Sequence, residues 1–440
     1  MRMPEILIAS CPPIGHLGPL LNVARGLVAR GDRVTVLTSA RHADRIRAVG
    51  AEPQPLPYGA DFDDTSLDAD LPGRAETSGI ARLNFDIEHI FVRPMPHQFS
   101  ALQELLAANQ FDAVIADAFF LGILPLLLDR TADRPPILAY SSTPLFLSSA
   151  DTAPAGPGVP PMPGTVGRIR NRALTLLTRT VLLRPAHRAA VRMLTAMGVQ
   201  PPPVFVLDSA VLADRVIVPT VPEFEYPRTD LPDHVRFVGA VHPMPSDDFL
   251  APAWWGELHA AVAAGRPVVH VTQGTIDNAD LSRLLEPTIE ALADEDVTLV
   301  VTTGGRDVAA ICVPIPANTF VAEYIPHDKL LPSVDIMVTN GGYGAVQRAL
   351  AAGVPLIVAG NTEDKPEVAA RVAWSGAGIN LKTGTPSADD VREAVRRIRE
   401  DGRYLHRARQ LEAAFARKDG SAEIAALVDE VVAERPRAVR

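Results

Sequence analysis

The segment from Tyr324 to Val372 constrains the fold of this chain more than any other. It contains YIPHDKLLPSVDIMVTNGGYGAVQRALAAGVP and, soon after, GNTEDKPEVAARV. An apolar strand, Asp335–Thr339, runs straight into the loop Asn340-Gly341-Gly342-Tyr343-Gly344, and a helix is expected over Ala345–Ala352. A glycine loop that opens a helix directly after a strand brings backbone N–H groups and the positive helix end to one anion. A diphosphate is the usual such anion, so the chain is expected to hold a nucleotide.

The 440 residues suit two domains rather than one core. An apolar content of 47% with only 5% aromatics fits an aliphatic α/β protein and argues against disorder. A net charge of -10 speaks against a nucleic-acid or anionic-membrane partner, so attraction for a diphosphate must be local. Cys11 and Cys312 stand far apart and read as buried thiols of a reducing compartment. The apolar run at the N-terminus is too short for a signal peptide, and polar residues interrupt every long apolar stretch. A cytoplasmic chain without membrane insertion is expected.

The first half opens with strand Glu5–Ser10, the loop Cys11–Gly18 and a helix with Pro19 in its first turn. Leu20, Val23, Ala24, Leu27 and Val28 share one face, Gly31 ends the helix, and Arg33–Thr38 gives the next strand. Such strand–helix–strand units imply a parallel sheet. Further strands are expected at Ala113–Ala116 and Ile137–Tyr140, while 58–100 and 141–200 look less regular. Six prolines between Pro222 and Pro252 mark an interdomain linker. The α/β rhythm then returns, with strands Val268–Thr272, Thr298–Thr303, Thr319–Ala322, Ile336–Thr339, Pro355–Val358 and Ile379–Leu381, and charged helices close the chain. The expected domains are 1–222, a linker 223–252, a second domain 253–410, and a tail 411–440 packing back on the first.

His16 and Asp117 both fall at the carboxyl ends of strands, where open α/β sheets bind ligands. His16 reads as a base or as a helix cap, and Asp117 as its partner or as an N-cap. Asp112 precedes its strand and belongs at the wrong end of the sheet. Gly274 and Thr275 end another strand and either meet a phosphate or form an ordinary turn. Asp61-Phe62-Asp63-Asp64 looks like a metal-binding Asp-x-Asp, but with no adjacent strand it reads as an acidic surface loop. No zinc spacing, Walker loop or Gly-x-Gly-x-x-Gly after the first strand is present.

With Gly15-His16 in front and the signature from Tyr324 behind, the chain resembles the GT-B fold, family 1 glycosyltransferases. These include plant and animal UDP-glycosyltransferases and the macrolide and antibiotic glycosyltransferases of bacteria. The resemblance implies two Rossmann-like doubly wound domains facing a cleft, and transfer of a hexose with inversion. His16 would take the proton of the acceptor hydroxyl and Asp117 would orient it. Gly274, Thr275, Asn340, Gly342, Gly344 and Ala345 would hold the donor diphosphate, Tyr324 and His327 the nucleobase, and Glu363, Asp364 and Lys365 the donor sugar. Ile14, Phe85, Phe91, Phe119 and Phe146 would line the acceptor pocket, or simply pack as core.

Five positions depart from the family pattern, the first being Tyr324, a tyrosine where tryptophan is usual. Asn340 replaces a histidine, yet its amide can still donate. Lys365 replaces a sugar-binding glutamine, Arg348 a ribose-binding glutamate, and His327 a glutamine. The resemblance implies no metal and no cofactor beyond the co-substrate, UDP-glucose first and a dTDP-sugar second. The implied partners are that nucleotide sugar and a lipophilic acceptor such as a macrolide, polyketide or phenolic, with the chain a monomer or homodimer. The alternatives are a non-catalytic auxiliary partner of a transferase, which the atypical Asn340 and Lys365 would suit, and a nucleotide-sugar epimerase.

Overall fold

The structure, a computed structural model, describes residues 3–63, 67–71, 73–129, 133–242, 249–275 and 277–434. Asp64 of the acidic loop, Pro243 and Pro245 of the Pro-rich stretch, and the last six residues of the tail lie outside the described residues.

Apolar runs bounded by glycine and proline form two all-parallel sheets. The first contains β1 (Glu5–Ala9), β2 (Arg33–Thr38), β3 (Glu52–Pro55), β4 (Ala113–Asp117), β5 (Ile137–Tyr140), β6 (Arg215–Val218) and β7 (Val235–Phe237). Their order is β3-β2-β1-β4-β5-β6-β7. The second contains β8 (Val268–Thr272), β9 (Thr298–Thr302), β10 (Thr319–Ala322), β11 (Ile336–Thr339), β12 (Leu356–Val358) and β13 (Gly378–Asn380), in the order β10-β9-β8-β11-β12-β13. Each order reverses direction once, between β1 and β4 and between β8 and β11. At that point the two flanking connections diverge and leave a crevice beyond the strand ends.

Both faces of the first sheet are covered. Ile6 and Ile8 pack into one apolar cluster with α1 (Ile14–Arg30), and Leu7 and Ala9 into the opposite one. Helix α1 starts five residues before Pro19, earlier than expected, and this brings His16 into its first turn. Gly31 ends it in the left-handed conformation that glycine adopts without a Cβ penalty, with φ 104°.

The less regular segment 58–100 carries the helix Gly79–Asp86 and the start of Met95–Ala108, and the basic helical stretches expected from Gly164 to about Met197 include α2 (Gly164–Leu177). The Pro-rich stretch 223–252 is not all linker, since it supplies β7, the edge strand paired with β6. An edge position tolerates the neighbouring prolines, because one side of the strand needs no N–H donors. In the second domain, α3 (Tyr343–Ala351) begins two residues before the expected helix, and α4 (Lys365–Ser375) follows β12.

The return to the first domain begins at Gly420. Ala408, Leu411, Ala414 and Phe415 belong to the second domain's core. Ile424, Leu427, Val428 and Val431 of α5 (Gly420–Glu434) belong to the first domain's core beside α1. The two crossings of the chain lie side by side: a Cβ on Gly239 would meet Lys418, and one on Gly420 would meet the carbonyl of Ala240.

Cys11 is buried, but Cys312 is exposed, contrary to the expectation of two buried thiols. Asp61 accepts from the Ala40 N–H and Asp63 pairs with Arg41, so the described part of the acidic loop is tied to the turn after β2. No described helix is long and apolar enough to cross a membrane.

Candidate active site

His16 and Asp117 emerge at the reversal point of the first sheet. Asp117 is the last residue of β4 rather than the residue after it. His16 Nδ1 lies 3.1 Å from both carboxylate oxygens of Asp117 and 3.1 Å from the hydroxyl of Ser142, beyond the end of β5. An ionised carboxylate only accepts, so Nδ1 carries the proton toward Asp117 and Nε2 is left as the basic nitrogen. Asp117 is fully buried, and its Oδ1 also accepts from the Phe119 N–H at 2.8 Å, so it turns the following backbone as well as facing His16.

Burial pushes the His16 pKa down. The charge and hydrogen bond of Asp117, then the charges of Asp364 and Glu363, outweigh burial and hold it above its ordinary value. Because Asp364 and Glu363 stand at the start of α4, this coupling puts the imidazole of one domain and the carboxylates of the other on one crevice. Asp364 shows the same proximity in reverse: burial and the Glu363 charge push it up to about 6, against the opposing charges of Lys365 and His16.

Three of the five expected acceptor residues gather at His16. Phe91 and Phe119 both place ring centroids 5.7 Å from the imidazole, and Phe146 packs edge-on to Phe119 at 5.8 Å. Phe85 instead stacks on His89 at 3.7 Å, and Ile14 packs against the core around α1.

At the reversal point of the second sheet, Gly274 follows β8 and Asn340 follows β11. Gly342 precedes α3, no side chain caps that helix, and its first backbone bond runs from Val346 to Gly342. The N–H groups of Tyr343, Gly344 and Ala345 therefore face outward from a positive helix end. A Cβ placed on Gly274, Gly342 or Gly344 would meet no atom within 4 Å, so the glycines keep space open there rather than relieve a clash. Thr275 is exposed beside them.

Asn340 is used differently from the expected phosphate donor. Its amide nitrogen donates to the carbonyls of Gln273, at 2.5 Å, and Asp277, at 3.4 Å, tying the two loops together. Lys365 likewise does not present a free ammonium to a sugar. It is buried, with Nζ 2.5 Å from Glu363, 3.0 Å from the Thr362 hydroxyl and 3.3 Å from Asp277. The backbone of Glu363 has φ 54°, a left-handed conformation that costs a non-glycine residue about 1 kcal/mol. Among the described residues, Asp364 takes no hydrogen bond apart from that of its own backbone N–H, so its carboxylate is left without a side-chain partner.

Tyr324 exposes 58% of its surface, as a ring offered to a planar base would. His327 is the first residue of a short helix, with Nδ1 buried and unbonded. Burial, then the nearby His270 and Arg348, lower its pKa to about 3, so the ring is neutral.

Sequence reasoning missed Ser142 and a buried ionic clasp between the domains. Arg371 of α4 bonds Glu225 at 2.8 Å and Glu367 at 2.6 Å, with all three side chains nearly inaccessible. Glu367 also accepts, at 2.8 Å each, from the N–H groups of Gly156 and Gly158 in the first domain's Pro/Gly loop. Ser142 follows from the strand-end rule that found Asp117. Nothing in the spacing of Glu225, Glu367 and Arg371 announces that they meet.

Two doubly wound domains, with an outward-facing helix end on one and an imidazole–carboxylate pair on the other, define a GT-B glycosyltransferase. The chain belongs to the family 1 glycosyltransferases. Residues 286–431 match the family model described as "Erythromycin biosynthesis protein CIII-like, C-terminal domain". The chain is 41% identical to the 4'-demethylrebeccamycin synthase of Lentzea aerocolonigenes, covering 97% of this chain and 99% of that one. It is 35% identical to the UDP-glucosyltransferase A1 of Starmerella bombicola, covering 89% and 84% respectively. Its fold is that of the calicheamicin glycosyltransferase CalG4, with a TM-score of 0.74 at 22% identity over 100% of both chains.

Proposed function

We propose that the chain transfers glucose from UDP-glucose to a hydroxyl of a lipophilic natural-product acceptor, with inversion at the anomeric carbon. The observation that carries this reading is the His16 ring. Its Nδ1 is fixed by Asp117 and Ser142, and its outer side is charge-coupled to Asp364 on the opposite domain. His16 Nε2 takes the hydroxyl proton as the acceptor oxygen bonds to the anomeric carbon. The bond from that carbon to the diphosphate oxygen breaks on the far face. The leaving diphosphate keeps the electron pair and rests on the N–H groups of Tyr343, Gly344 and Ala345, with Thr275 beside it. The Asp117 carboxylate stabilises the imidazolium.

The acceptor lies against Phe91, Phe119 and Phe146, the rings gathered beside the base. Asp364 holds sugar hydroxyls. Lys365 and Asn340 brace the loops instead of touching the donor, so these two departures from the family pattern fall on scaffold positions. Support for UDP and glucose comes from the relative named a UDP-glucosyltransferase. Titration calorimetry with UDP and dTDP tests the donor half, with tighter binding of UDP expected. Negligible affinity for both removes the donor claim. Mass spectrometry of acceptor mixtures incubated with UDP-glucose tests the transfer, with a gain of one hexose expected.

A further inference from the structure

The outer face of α2 is built unlike the rest of the surface. Val166, Ile169, Leu176, Leu177 and Val181 recur at helical spacing along α2 and the turn that follows it. Each exposes between 45% and 70% of its surface. The helix Gly79–Asp86 lies beside this turn, its Asn84 amide donating to the Leu182 carbonyl at 2.7 Å, and it adds exposed Ile80 and Leu83. A helix that leaves an apolar stripe in water is normally covered by something.

Charge indicates what covers it. From 152 to 207 the chain carries seven arginines and no aspartate or glutamate, although the whole chain is at -10; the bordering Asp151 and Asp208 pair with Arg168 and Arg179. Arg172, Arg184, Arg188 and Arg192 are exposed, with no carboxylate partner among the described residues. A symmetric contact between two copies through this face would set arginine-rich surfaces against each other. An apolar helical stripe in a segment this rich in exposed arginines suits an interface whose interior is hydrocarbon and whose rim is anionic.

We propose that this face seats the protein on an anionic lipid surface, lying in the headgroup layer without crossing it. The inward side of the same segment supports the placement. Thr175, Thr178 and Arg179 line a pocket with Phe146, which packs on Phe119 next to His16. The seated helix thus stands between the bilayer and the aromatic side of the cleft. The proposal rests on surface geometry and charge, and holds or fails independently of the sugar-transfer reading.

Co-sedimentation of the full chain with sucrose-loaded vesicles tests it. Binding is expected to vesicles of phosphatidylcholine mixed with phosphatidylglycerol, to weaken severalfold at high salt, and to be lost on phosphatidylcholine alone. The double variant Ile169→Ser/Leu176→Ser removes exposed side chains only. It should keep the wild-type melting temperature and lower the bound fraction roughly tenfold. A chain that stays in the supernatant with both vesicle types overturns the proposal, as does a double variant that binds like wild type. A wild-type dimer in size-exclusion chromatography that the double variant abolishes also overturns it, by giving the face to a second copy.

Discussion

At the scale of single residues, the proposed chemistry turns on His16. Replacing it by alanine is expected to lower kcat/KM by about 10²–10⁴-fold, the usual worth of a positioned base, while UDP affinity stays within about twofold. Only the neutral ring accepts a proton, and the His16 pKa lies above its ordinary value of 6.5. Activity should therefore rise with pH through a limb placed above 6.5. Asp117→Asn removes the main upward influence. Its limb should move to lower pH while the maximal rate falls at least roughly tenfold, a pairing that simple misfolding does not produce. On the donor side, Gly344→Val adds atoms where a Cβ meets nothing. Its melting temperature should match wild type, and calorimetry should show UDP binding at least roughly tenfold weaker.

At the scale of elements, α4 joins the site to the domain interface. Its first turn carries Asp364, and one turn on, Glu367 and Arg371 form the clasp with Glu225. Burial would push Glu225 up, but the charges of Arg371 and Arg228 outweigh it and hold its pKa below the ordinary value. Arg371→Met strips the positive charge from two buried carboxylates and should cost about 3–5 kcal/mol, read as a fall in melting temperature. A depressed carboxylate pKa stabilises above the unfolded value and loses that effect as pH falls. In the variant burial instead raises the Glu225 pKa, so the deficit should shrink between pH 8 and pH 5, where protonation relieves the unpaired charge.

The same elements show what the sequence could disclose. Strands β1, β4, β8 and β11 are continuous apolar runs ending in glycine or polar loops, so they and the groups at their ends were legible. The edge strands of the first sheet were not: β3 is EPQP, and β7 is three residues inside a Pro-rich stretch. Asn340 and Lys365 looked like ligand groups because their positions in the chain matched. Their side chains turn to Gln273 and Asp277, partners about 67 and 88 residues away in sequence, which no local pattern fixes. Long-range charge pairs such as Arg371–Glu225 are hidden for the same reason, since tertiary packing alone brings them together.

At the scale of the whole molecule, two chain crossings, near Gly239 and near Gly420, lie against each other. The α5 helix then locks onto the first domain, with Arg30 bonding the Ala425 carbonyl at 2.9 Å and Arg215 bonding Glu430 at 2.6 Å. This arrangement keeps the two reversal points opposed. The account depends on that opposition. A crystal structure with an unreactive UDP-sugar analogue tests it most directly. The diphosphate is expected on the N–H groups of Tyr343, Gly344 and Ala345, the uracil at Tyr324, and the anomeric carbon facing His16 Nε2 with room for one hydroxyl between them. A diphosphate bound away from α3, or an anomeric carbon turned from His16, would contradict it.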